Sequence, residues 1–145
     1  MKILVAFDGS EPAKRAMRFA TDLARRLGDS ELEVLFVAED LQVPSYFSDQ
    51  YLDPATWERL EREMVEHGRE MVEEASRIAE EAGVEVSTRV RQGNPAAEIV
   101  AEAERCRADL IVMGSRGLNA LGEIFLGSVS IRVMRQATCP VTVVR

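Results

Sequence analysis

Leu110-Ile111-Val112-Met113-Gly114-Ser115-Arg116-Gly117, then LNALGEIFL, then Gly127-Ser128-Val129-Ser130: the fold of this chain is decided by how that stretch is read. Four apolar residues closed by a glycine predict a strand buried on both faces, as in a parallel sheet. Glycines follow at 114, 117, 122 and 127. Residues 128–137 then read as a helix, with Val129, Val133 and Met134 on one side. A strand that leaves through such a connection into a helix does one of two things. It turns the chain and no more, or it cradles an anion on backbone N–H groups that side chains would otherwise screen.

Outward from this stretch, strand and helix patterns alternate. Residues 2–7 form a near-continuous apolar run and predict the first strand. Ser10 suits a helix N-cap and Pro12 the first turn. Ala13, Ala16, Met17, Ala20, Leu23, Ala24 and Leu27 follow at helical spacing, and Gly28 suits the C-terminal cap. Residues 32–38 predict a second strand. Residues 39–56, with Pro44, Tyr46, Phe47, Tyr51 and Pro54, show no period and predict a long loop. Residues 57–82 predict the longest helix, capped by Thr56. Its seam runs Trp57, Leu60, Met64, Gly68, Met71, Ala75, Ile78, Ala82, and a sheet is the expected partner for it. His67 lies beside that seam without a neighbouring ligand, so no metal role is read for it.

Residues 84–91 alternate apolar and polar and predict a half-exposed edge strand. Asn94 and Pro95 open a helix whose buried face is Ala96, Ile99, Val100 and Ala103. Residues 109–113 form the fourth strand. Residues 140–144 form the fifth, with Pro140 at its first position. This alternation predicts one α/β domain over residues 1–145, a doubly wound parallel sheet with helices on both faces. In such sheets ligands bind beyond the carboxyl ends of the strands where the strand order reverses. Asp8-Gly9-Ser10 and the glycine stretch both lie just past strand ends. With a strand order of 3-2-1-4-5 they face one crevice.

Composition narrows the function classes. The chain has 145 residues, 46% hydrophobic and 30% charged, and a net charge of −7. The acidic balance argues against nucleic acid as a partner. Apolar runs of about five residues are too short to cross a bilayer, so no membrane role is expected. The first residues read as a strand rather than a signal peptide, and the two cysteines, Cys106 and Cys139, as packing residues; the expected location is cytoplasmic. The charge is uneven. Residues 57–82 hold nine glutamates and four arginines, whereas 114–145 hold four arginines and one glutamate. A locally basic, glycine-rich end suits a small anion.

Helix N-terminal N–H groups at residues 127–130 would serve a phosphate, with hydroxyls from Ser128 and Ser130 and a mobile charge from Arg116. Gly114 and Gly117 would let the connection turn tightly over the ligand. Gly122 reads as a turn within the loop, and Leu118, Leu121 and Phe125 as a flap over the sheet end. The loop is not a Walker A motif, because the only lysines are Lys2 and Lys14. No GxGxxG follows a strand. Asp8 admits two readings, a cation or ribose partner and a neighbour that helps Ser10 cap the first helix.

The spacing Gly114-x2-Gly117-x9-Gly127-Ser128 resembles the ATP-binding signature of the universal stress proteins, G-2x-G-9x-G-(S/T). The resemblance extends to "KILVAFDGS", "GNPAAEIV", "ADLIVMGSRG" and "CPVTVV", and so to most of the chain outside 39–56. It implies a five-stranded sheet in order 3-2-1-4-5 and ATP with Mg²⁺ as cofactors. It implies nucleotide contacts from the backbone around Ala6, from Asp8, also the metal partner, and from Val37. Met113, Gly114, Arg116 and Gly117 match the first half of the loop, and Gly127, Ser128, Val129 and Ser130 the phosphate-binding half. Ala6 stands where some ATP-binding members have proline. The resemblance also implies a homodimer through the fifth strand, from Cys139 to Arg145. The function expected is regulation in a stress response. Two alternatives are a slow ATP hydrolase or autophosphorylating enzyme and a nucleotide-free dimeric adaptor. No lysine or histidine lies in the loop to serve hydrolysis, and Glu11 reads as a complement to the helix start.

Overall fold

The computed structural model describes residues 1–39, 53–115 and 126–145. Five strands and four helices alternate through them: β1 (Lys2–Ala6), α1 (Glu11–Leu27), β2 (Glu31–Glu39), α2 (Pro54–Glu80), β3 (Val86–Gly93), α3 (Pro95–Cys106), β4 (Leu110–Gly114), α4 (Ser128–Gln136) and β5 (Val141–Val144). The sheet has the order β3-β2-β1-β4-β5, and every pairing is parallel. The strand order reverses between β1 and β4, which pair from Ile3 with Leu110 to Ala6 with Met113.

Alternate residues of the central strands feed two cores. Ile3, Val5, Val34 and Val112 pack with Ala13, Ala16, Met17 and Ala20 of α1 and with Ala75 and Ala79 of α2. Leu4, Leu35, Ile111 and Met113 face the other way, onto Ala96, Ile99 and Ala103 of α3 and Val133 of α4. Strands covered on both faces need apolar residues at every position, and so β1 and β4 read as unbroken apolar runs.

Local chemistry sets the element ends. The Ser10 hydroxyl caps α1 by accepting from the Ala13 N–H, and Asn94 caps α3 from Ala97 in the same way. Gly28 closes α1 with φ +74°. The long helix begins earlier than the sequence suggests. Its cap is Asp53, not Thr56: the Asp53 carboxylate accepts from both the N–H and the hydroxyl of Thr56. Those bonds hold its carboxyl below the usual range, the hydroxyl bond contributing most. Pro54 therefore occupies the first helical turn, where its missing donor costs nothing. β3 starts at Val86 rather than 84. Gly83 (φ +72°) donates to Glu80 and Val84 to Ala79, so Val84 belongs to the end of the helix.

The expected face of α4 is also corrected. Ser130 and Val133 are buried, whereas Met134 and Ile131 are exposed. The helix spans only Ser128–Gln136, and Val129 packs partly buried beside Val133 in the core.

One charged cluster lies inside the sheet's α3 face. The side chains of Glu33 on β2 and Glu102 on α3 are 4% and 3% exposed. Glu102 accepts from Arg91 at 3.1 Å and from Arg105, whose guanidinium also reaches Glu33 at 3.2 Å. Lys2 stands 3.8 Å and Arg89 3.9 Å from Glu33. Burial pushes the Glu33 carboxyl up, and the Arg105 guanidinium pulls Glu102 down to about 2.

Candidate functional site

A cleft of about 530 Å³ opens over the carboxyl ends of β2, β1 and β4. That volume is within the range of small-ligand sites. Its floor is built by register. Ala6 and Met113 are paired neighbours at the ends of β1 and β4, and Val37 lies two residues beyond Leu35, the β2 partner of Ala6. Ala6, Val37 and Met113 all face the α3–α4 side and line the cleft. The fold thus brings together at one cleft three residues, from three strands, that the sequence reading singled out.

The far wall is the start of α4. Gly127 donates its own N–H to the Ser115 carbonyl at 2.7 Å, and Ile131 donates back to Gly127 at 3.1 Å. The N–H groups of residues 128, 129 and 130 come before the first helical hydrogen bond, that of Ile131, and no carbonyl among the described residues accepts from them. Three of the described helices carry side-chain caps, from Ser10, Asp53 and Asn94. Helix α4 has glycine at its cap and no side-chain cap bond, and this uncapped end opens onto the cleft. An anion set there would supply the missing acceptor and meet the positive end of the helix dipole.

Each expected site residue now has a place, except two. Gly127, Ser128, Val129 and Ser130 all line the cleft. The Ser130 hydroxyl is buried and donates to the Gly114 carbonyl at 3.1 Å, with Ser115 O at 3.3 Å. It braces the wall instead of facing a ligand as a donor. Gly114 lines the cleft, but its missing Cβ serves the fold. A methyl there would come within 2.8 Å of Ala13 N and of the Pro12 carbonyl carbon, the backbone of α1. Asp8 lines the cleft and also accepts the Ser10 N–H on Oδ1 at 3.0 Å, so it supports the start of α1 from a position on the cleft wall. Arg116 and Gly117 lie outside the described residues, as do Gly122, the flap residues Leu118, Leu121 and Phe125, and the stretch 40–52.

Sequence reasoning missed Phe36, Glu39, His67, Pro95 and Ile99 as lining residues. Pro95 and Ile99 stand in the "GNPAAEIV" segment, which was a usable signal. Nothing local marks His67, which arrives from the middle of α2. Its ring meets that of Phe36 edge-to-face, with centroids 5.5 Å apart and planes at 86°.

The class these features define is a doubly wound α/β domain with a ligand-sized cleft at its topological switch point. The comparisons narrow it. A family model described as the universal stress protein family matches residues 1–145. A curated universal stress protein of Thermus aquaticus is 40% identical over 143 residues, covering 99% of this chain and 97% of its own. The solved structure of hypothetical protein MJ0577 superposes with a TM-score of 0.82 at 31% identity, covering 99% of this chain and 94% of that one. A universal stress protein of Archaeoglobus fulgidus, solved in complex with dAMP, superposes with a TM-score of 0.68 at 25% identity, over 100% of this chain and 98% of that one. The chain belongs to the universal stress protein family.

Proposed function

We propose that the chain is an ATP-binding regulatory protein of the stress response, cytoplasmic and dimeric. The observation that carries this reading is the uncapped N-terminus of α4, facing a cleft whose apolar floor runs from Met113 on β4 through Ala6 on β1 to Val37 on β2, two strands away. A phosphate chain suits the first and a purine base the second. The dAMP held by the A. fulgidus relative is a ligand of this chemistry.

Magnesium suits the same site. Mg²⁺ is commonly held by one or two carboxylates together with substrate phosphates. Asp8 lines the cleft and offers a carboxylate of which one oxygen already accepts the Ser10 N–H. Asp8 would hold the ion, which would neutralise phosphate charge. Among the described lining residues, which include no lysine, the helix end and such an ion would supply positive charge at the phosphates.

The dimer is argued from the sheet edge. All four residues of β5 are partly exposed, and Ile131 and Met134 of the adjoining α4 are 38% and 41% exposed. An open apolar edge invites a second strand, and a two-fold pairing of β5 with β5 closes it. The test of the nucleotide reading is direct titration of purified protein with labelled ATP, AMP and cyclic AMP, with and without Mg²⁺. Saturable ATP binding is expected, and no saturable binding of any nucleotide would overturn the reading.

A further inference from the structure

His67 is the single histidine of the chain, and the fold carries it into the cleft from a helix that supplies no other described lining residue. The cause is its neighbour. Gly68 is buried, and a Cβ there would come within 2.6 Å of Val90 Cγ1 and 3.3 Å of Phe36 Cδ1. The missing side chain lets α2 lie close against β2 and β3. The preceding residue is thereby brought beside the carboxyl end of β2, and Phe36 holds its ring edge-to-face.

Among the described residues no hydrogen bond or ion pair engages His67, and the side chain is exposed within the cleft wall. A histidine needed only for packing would be expected to bury its ring. An imidazole offers one donor and one acceptor when neutral, which matches the edge of a purine or the hydroxyls of a ribose.

Its position says which end of a ligand it meets. Strands stand about 4.8 Å apart, so the end of β2 lies about 10 Å from the end of β4, two strands away. The uncapped helix α4 follows β4. This span is comparable to that between the base and the phosphates of a nucleotide. Phosphates at α4 leave the nucleoside at β2, where Phe36, Val37 and His67 line the cleft.

We propose that His67 is a nucleoside-binding residue, the α2-side wall of the cleft at the end remote from the α4 N-terminus. The assignment rests on the nucleotide reading above. It adds a recognition group that the glycine signature does not contain, and it assigns that group to the base or ribose, not to the phosphates.

One histidine gives one set of imidazole resonances, so tag-free, ¹³C,¹⁵N-labelled protein reports on the site without mutation. AMP is expected to shift both the imidazole signals and the backbone amides of residues 128–130. Adenosine should shift the imidazole, and inorganic tripolyphosphate only the amides. If AMP moves the amides and leaves the imidazole still, His67 is no contact and the nucleotide reading stands. If AMP moves neither, both fall. A larger imidazole response to tripolyphosphate than to adenosine overturns the assignment to the nucleoside end. His67→Ala should weaken AMP binding about two- to tenfold, the worth of one neutral hydrogen bond, and leave tripolyphosphate binding unchanged. Wild-type AMP affinity in that variant would also overturn the proposal.

Discussion

The Ser130 hydroxyl donates to the carbonyl oxygen of Gly114 across 3.1 Å, joining the first turn of α4 to the last residue of β4. Two walls of the cleft are thereby fixed to each other by one buried proton. Ser130→Ala removes the donor and leaves buried carbonyls short of a partner. It should cost about 1–2 kcal/mol in urea unfolding. Ser128→Ala, two residues earlier and exposed, should fall within about 0.5 kcal/mol of wild type. Equal midpoints for Ser130→Ala and wild type would show that the brace carries no stability.

Gly127 has φ −63° and ψ 152°, ordinary extended backbone open to any residue. Gly127→Val should therefore fold, while its branched side chain crowds the uncapped helix end. ATP binding measured by calorimetry should weaken more than tenfold, or about 1.4 kcal/mol. Unchanged affinity in a folded variant would remove the helix end from the site.

Asp8→Asn separates the two uses of that side chain. The amide oxygen can still accept the Ser10 N–H, so the helix start is retained. The charge that would hold Mg²⁺ is lost. The dependence of ATP affinity on Mg²⁺ should shrink in the variant. If it persists at wild-type size, Asp8 serves only the start of α1.

The buried carboxylates Glu33 and Glu102 should respond oppositely. Glu102 is held down to about 2 by its hydrogen bonds with Arg105 first. Its contribution to stability is present above about pH 4.5 and is lost as pH falls toward 2. Glu33 is raised above 4.5, by burial first and then by its hydrogen bond with Glu102. Its contribution is complete below about pH 4.5 and is lost as pH rises through the raised value. At pH 7, Glu102→Gln should cost about 1.5–3 kcal/mol, the range for hydrogen bonds to charged groups. Glu33→Gln should cost distinctly less, and should flatten the fall in stability from pH 4.5 to 7. Equal losses from the two variants would contradict the asymmetry.

Val143 lies in the middle of the open strand β5. Val143→Lys should place two charges near the two-fold axis of a β5–β5 dimer and favour the monomer. Sedimentation at micromolar concentration reads this directly. A wild-type monomer, or a dimer indifferent to the substitution, would mean that β5 is not the pairing edge.

The sequence by itself determined the sheet, because hydrophobic periodicity and caps are local. Unbroken apolar runs at β1 and β4, Ser10 and Asn94 as caps, and the glycine at 127 before a helix are all legible over a few residues. It also led to Ala6, Val37 and Met113, through strand ends and a family signature. Local reading failed at the start of the long helix. Thr56 reads as its cap, and only the fold shows the Asp53 carboxylate accepting from that threonine. It failed again where a residue's reason lies across the molecule. Gly114 reads as a loop glycine, yet its missing Cβ makes room for the backbone of α1, one hundred residues earlier. Nothing local marks Glu33 and Glu102 as buried; β2, β3 and α3 enclose them with arginines. His67 reads as a helix residue without a role until Gly68 seats α2 against the sheet and brings the imidazole to the end of β2. Patterning along the chain encodes which face a residue shows, but the contact it makes there depends on a partner distant in sequence, and tertiary packing alone brings the two together.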